Sequence, residues 1–143
     1  MRVRGIEAFR EEAARFARSL APHADHATVV TLSGDLGAGK TAFAKAVAAE
    51  LGVTEHVTSP TFVIMKTYEL RERPFRRLVH VDAYRLEGER HINVLGWAEL
   101  LRDRDTLVIV EWPERVPSAI PGSAIRITLR YSGDDEREIT YET

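Results

Sequence analysis

The stretch Gly34-Asp35-Leu36-Gly37-Ala38-Gly39-Lys40-Thr41 restricts this chain more than any other, because it has the spacing of a Walker A phosphate-binding loop. Two glycines bracket four residues and a Lys-Thr pair follows, an arrangement that belongs between the end of a strand and the start of a helix. Both flanks comply. Upstream, Thr28–Leu32 is a β-branched run suited to a buried strand, and downstream, Ala42–Leu51 is dense in helix formers. Gly34, Gly37 and Gly39 permit bends that a Cβ would obstruct, so that backbone N–H groups can turn inward around phosphate oxygens. Asp35, Leu36 and Ala38 complete the predicted cradle. Lys40 would bring a positive charge to the β and γ phosphates, and Thr41 would offer a hydroxyl to Mg2+. The first helical turn, reaching Ala42, would present unpaired N–H donors.

The chain has 143 residues, which predicts one domain over 1–143 with a real apolar core. A net charge of −2 supplies no global field for nucleic acid or membrane, although Arg71, Arg73, Arg76 and Arg77 make a local basic patch. The absence of cysteine excludes disulfides, thiolate zinc sites and a cysteine nucleophile. No apolar segment of secretory type follows Met1 and no apolar run reaches bilayer length, so the expected location is the cytoplasm.

Along the chain, Ala8, Phe9, Ala13, Phe16, Ala17 and Leu20 recur at helical spacing, which predicts an amphipathic helix over Glu7–Leu20 packed on a sheet. Its leading segment could also touch an adenine base. Ser59-Pro60-Thr61 places hydroxyls on both sides of a proline shortly after the loop; it suits a nucleotide-sensing segment and is equally compatible with a plain turn. Phe62–Leu70 and Leu78–Val81 read as strands joined through a charged turn at Arg71–Pro74, hence a hairpin. A helix is expected around Leu95–Leu101, with Trp97 either a core anchor or part of a docking face, the core being preferred. Ala124–Tyr131 and Arg137–Tyr141 read as a terminal hairpin across Ser132–Asp135.

Two acids stand where strands give way to loops. In His80-Val81-Asp82-Ala83-Tyr84-Arg85, alternation puts His80 and Asp82 on one face. Asp82 could reach Mg2+ through water or orient an attacking water, with Tyr84 and Arg85 supporting the loop. In Leu107-Val108-Ile109-Val110-Glu111-Trp112-Pro113-Glu114, a continuous apolar run ending in an acid is the pattern of a central strand that delivers a carboxylate beside the phosphate loop. Glu111 is expected to coordinate Mg2+, directly or through water, Trp112 would wall the site or pack under it, and Pro113 stops the strand. The fold class that follows is α/β: a P-loop NTPase-like domain with a mixed, mostly parallel central sheet flanked by helices, and antiparallel hairpin additions.

These segments together resemble the TsaE family, the small P-loop ATPases of bacterial tRNA threonylcarbamoyladenosine biosynthesis. The loop is shared with many NTPases. Ser59-Pro60-Thr61-Phe62, His80–Leu86 and Val110-Glu111-Trp112-Pro113-Glu114, in this order within a short chain, are far more specific. The resemblance implies ATP and Mg2+ as cofactors, Mg2+ contacts from Thr41 and Glu111, and a metal- or water-positioning role for Asp82. It implies a nucleotide-responsive role for Ser59, Pro60 and Thr61, and a functional constraint on Trp112. It also implies docking to the paired proteins TsaD and TsaB, with tRNA engaged indirectly through that complex and no membrane partner. Ala42 stands where family members often carry a second threonine, and Glu89–Gly96 lacks their fuller acidic pattern.

The expected reaction is Mg2+-assisted transfer of the ATP γ-phosphoryl group to water, with Lys40, Asp82 and Glu111 as the catalytic set. No arginine is a secure transition-state finger, so slow turnover that depends on the partners is expected. A small nucleotide or metabolite kinase, and a nucleotide-binding scaffold with little hydrolysis, are the alternatives.

Overall fold

The computed structural model describes residues 1–35, 37–53, 65–71, 74–86 and 89–143, and for Arg85 and Glu89 the backbone alone. Leu36, the Ser59-Pro60-Thr61 segment and the start of the strand expected at Phe62 lie outside the described residues.

The elements are β1 (Arg2–Arg4), α1 (Ile6–Ser19), β2 (Thr28–Ser33), α2 (Lys40–Glu50), β3 (Met65–Glu69), β4 (Arg77–Asp82), α3 (Glu89–Val94), α4 (Trp97–Leu100), β5 (Thr106–Glu111), β6 (Ile125–Gly133) and β7 (Glu136–Glu142). Seven strands form one sheet in the order β1-β7-β6-β2-β5-β4-β3. Pairing is parallel for β2 with β5, β2 with β6 and β4 with β5. The edges are antiparallel: β3 with β4 on one side, β6 with β7 and then β1 on the other. Mixed α/β architecture with a parallel centre and two edge hairpins is what the sequence predicts.

The buried strand residues divide by parity. On β5, Leu107 and Ile109 face the layer containing α1 and α2, whereas Val108 and Val110 face the opposite core. On β4, Leu78 belongs to the first core, Val79 and Val81 to the second. Glu111, His80 and Asp82 therefore share the α2 side of the sheet. In the first core Phe43 of α2 meets Phe9 and Phe16 of α1, with ring centroids 5.9 and 5.8 Å apart. Glu12 is buried in the same layer and clamps α1 to β7: it accepts hydrogen bonds from Arg15 at 2.7 and 2.6 Å and from the Tyr141 hydroxyl at 2.5 Å.

One expectation needs correction. The helix expected around Leu95–Leu101 is only the four-residue α4, Trp97–Leu100, because Gly96 takes a left-handed φ of 78° and separates it from α3, which ends at Val94. Trp97 is a core residue at 3% exposure, and its indole N–H donates to the Ala119 carbonyl at 2.9 Å. Strand β1 was not expected; three residues are too few to show a period, and it is fixed by tertiary pairing, with the Met1 carbonyl accepting from Ile139 N–H at 2.8 Å. Among the described residues no helix is long and apolar enough to cross a membrane.

Candidate active site

The phosphate loop leaves β2 at Ser33 and enters α2 at Lys40. Gly34, Gly37 and Gly39 have φ of 143°, 79° and 107°, values that L side chains rarely adopt. Steric crowding adds to this at Gly34, where a Cβ would run into the Leu129 carbonyl oxygen. At Gly39 it would sit 3.1 Å from the Phe9 ring. From the outside, the Tyr131 hydroxyl donates to the Gly37 carbonyl. Phe9, Leu129 and Tyr131 thus hold the loop, a role invisible in sequence because each lies on a distant element.

Lys40 is buried, and its ammonium folds back to donate to the loop carbonyls of Gly34 and Asp35 at 2.5 and 2.9 Å. Its Nζ lies 4.2 Å from the centroid of the Trp112 ring, which walls the site. Burial draws the Lys40 pKa below lysine's ordinary value, and the charges of Glu111, Glu114, Asp35 and Asp82 oppose that shift. Trp112 holds a left-handed backbone, φ 61°, at the point where β5 ends. Tyr84 packs on Trp112 with centroids 5.0 Å apart, and the Arg115 guanidinium lies 5.1 Å over the Tyr84 ring.

The acids come next. Parallel pairing sets Asp82 opposite Glu111 and Leu32 opposite Glu111, so the ends of β2, β4 and β5 meet at one level beside the loop. Glu111 is 3% exposed, accepts from the Thr41 hydroxyl at 3.2 and 3.3 Å, and lies within hydrogen-bond distance of His80 Nε2, 2.5 Å away. Asp82 is half-buried and accepts from Tyr84 N–H at 3.0 Å, capping the 3-10 turn Ala83–Arg85. The structure thus brings together Lys40, Thr41, His80, Asp82, Tyr84, Glu111 and Trp112. Ala38 is buried within the loop and Ala42 lies on the first turn of α2.

The donor set suits a hard divalent cation. Thr41 Oγ1 and the Glu111 carboxylate offer only oxygens, within hydrogen-bond distance of each other. Among the described residues no three His, Asp or Glu side chains could hold a metal by themselves. The two oxygen-bearing groups would fit Mg2+ as it sits in nucleotide sites, where one or two carboxylates are completed by phosphate oxygens and water.

Comparison with known proteins turns this geometry into a family. The model described as "Threonylcarbamoyl adenosine biosynthesis protein TsaE" matches residues 8–139. The chain belongs to the TsaE family. It is 41% identical over 131 residues to the TsaE of Bacillus subtilis, covering 92% of this chain and 79% of that one. It is 36% identical over 138 residues to the TsaE of Treponema pallidum, covering 96% and 98%. The crystal structure of Bacillus subtilis YdiB, with a P-loop fold, superposes with a TM-score of 0.77 at 33% identity, over 99% of this chain and 82% of that one. The TsaE relatives carry names from tRNA threonylcarbamoyladenosine biosynthesis, the process implied by the motif resemblance.

Proposed function

We propose that this TsaE-family chain is a Mg2+-dependent ATPase that binds the TsaD–TsaB complex and supports repeated cycles of threonylcarbamoyladenosine modification of tRNA. The observation that carries the ATPase reading is the convergence of Lys40, Thr41 and the buried Glu111 at the mouth of a glycine loop. Loop N–H groups and Lys40 would bind the β and γ phosphates; Thr41 and Glu111 would hold the cation. When bound, Mg2+ neutralises phosphate charge and lowers the barrier to attack. Asp82, opposite Glu111 on the neighbouring strand, would order water. Lys40 would exchange the neutral carbonyls of Gly34 and Asp35 for charged phosphate oxygens, which accept stronger hydrogen bonds.

Beside Gly39 opens a cavity of about 240 Å3 lined by Ile6 and Phe9 on α1 and by Asp134, Asp135 and Arg137 near the terminal hairpin turn. Its apolar wall and acidic rim suit a nucleobase carrying an amino group, in keeping with the adenine contact expected of the leading helix. A kinase would need a mobile lid. Between β4 and β5, Ile92 and Trp97 are instead committed to the second core, which favours water as acceptor.

The test is ATP-dependent binding to purified TsaB–TsaD, with hydrolysis measured alone and with the partners. Binding that needs nucleotide and is lost in Lys40→Ala and Glu111→Ala supports the reading. No association with any adenine nucleotide, from folded proteins and competent partners, overturns the partner assignment. Nucleotide-dependent assembly with no phosphate release would establish the scaffold alternative.

A further inference from the structure

His80 is 1% exposed, and its Nε2 lies 2.5 Å from Oε2 of Glu111. In the parallel register His80 faces Ile109, one pleat behind the Asp82–Glu111 pair, so it reaches the acid from the side away from the strand ends. Thr41 meets the same carboxylate from α2. One buried acid is thus bonded by two side chains on different elements. A ring nitrogen and a carboxylate oxygen at this separation need a proton between them, because two bare acceptors would repel. The other ring nitrogen, Nδ1, is buried with no hydrogen-bond partner among the described residues. Leaving it as a bare acceptor places the proton on Nε2, where it serves Glu111. The same strand face carries Leu78 in the first core, and an aliphatic side chain could fill the position without desolvating an imidazole. Space-filling therefore does not account for histidine here.

We propose that His80 is a positioning residue for the cation site: its Nε2–H holds Oε2 of Glu111, fixes the rotation of the carboxylate, and leaves Oε1 beside the Thr41 hydroxyl to face Mg2+. A metal-ligating carboxylate anchored in this way keeps its angle as the cation and its waters exchange. The proposal rests on the reading of the site as one for Mg2+ and nucleotide.

His80→Gln and His80→Asn separate positioning from packing. The glutamine amide nitrogen reaches as far as Nε2 and can donate to Glu111; the asparagine nitrogen falls at the place of Nδ1 and cannot. A fluorescent ATP analogue is titrated with protein in EDTA and then at rising Mg2+, and the readout is the Mg2+ concentration that gives half of the metal-dependent gain in affinity. Melting in EDTA reports folding. The asparagine variant is expected to need about 10- to 100-fold more Mg2+, the glutamine variant less than about threefold more. A native-like value for asparagine, or equal shifts in both variants, overturns the proposal. If the asparagine chain does not fold, His80→Phe replaces it with the same expectation. A native protein whose nucleotide affinity ignores Mg2+ overturns the functional reading itself, whereas unaltered variants in a Mg2+-responsive background overturn the role of His80 alone.

Discussion

The hydroxyl of Thr41 donates to both carboxylate oxygens of Glu111, at 3.2 and 3.3 Å, across 70 residues of sequence. The helix start and the strand end that frame the proposed cation site are thus joined directly. Thr41→Val and Glu111→Gln are each expected to lower Mg2+-dependent ATP hydrolysis about 10- to 1,000-fold. Because the groups touch, the double variant should lose less than the product of the single losses, with a coupling of about 0.5–3 kcal/mol. Steady-state rates of the four proteins measure it; losses that multiply cleanly would show that the two side chains act separately.

Lys40→Met keeps an unbranched side chain and removes the ammonium together with its contact to the Trp112 ring. Affinity for ATP should fall at least about tenfold by titration calorimetry, the loss of a charged hydrogen bond to phosphate. Stability without nucleotide should change by only about 1 kcal/mol, since the loss of two hydrogen bonds to loop carbonyls and of the contact with Trp112 is offset by no longer burying a charge. Native affinity in this variant would remove Lys40 from the phosphate site.

Gly34→Ala combines an unfavourable φ of 143° with a clash against the Leu129 carbonyl, which belongs to strand backbone and cannot swing away. A loss of about 2–4 kcal/mol in denaturant unfolding is expected, with nucleotide binding impaired beyond what the loss of stability explains. A melting curve coincident with that of the native chain would refute this.

The clamp at Glu12 gives a pH signature. Hydrogen bonds from Arg15 hold its carboxyl below the usual glutamate pKa against the opposing effect of burial, and the Tyr141 hydroxyl adds to the lowering. A depressed folded pKa means that the unfolded chain takes up the proton first as the solution is acidified. The stabilisation is therefore complete above the unfolded value, about 4.3, and is lost as pH falls through the folded one. Glu12→Gln should cost about 1–3 kcal/mol at pH 7, a gap that narrows by pH 3. Urea unfolding at the two pH values checks it, and a constant gap would rule out the linkage.

The loop, β2, α2 and the strand ending in Glu111 were legible because local chemistry dictates them: glycines at fixed offsets, and an apolar run closed by an acid. Parity alone put His80 and Asp82 on one face, and the fold supplied what that face meets. The contact of His80 with Glu111 depends on which strands are neighbours, and Tyr131 reaches Gly37 from a hairpin 94 residues away. No local pattern encodes such contacts. The break at Gly96 was hidden because a glycine inside an apolar period does not announce which way it turns. Trp112 and Trp97 are adjacent cases of one residue type in two settings. One is a buried anchor bonded to Ala119; the other, strained at φ 61°, faces Lys40.

The parallel pairing of β2 with β5 has a consequence for how the protein comes into being. The phosphate loop emerges early in synthesis, yet its acid arrives only with Glu111, and the two strands cannot be zipped together by a short turn. Closing so long a loop is entropically uphill until both faces of the sheet can be covered, so this pairing is expected late in folding. A nascent or nicked chain lacking β5 would present a glycine loop with no carboxylate behind it. If the loop binds nucleotide as proposed, competence for it is a readout of completed assembly of the sheet.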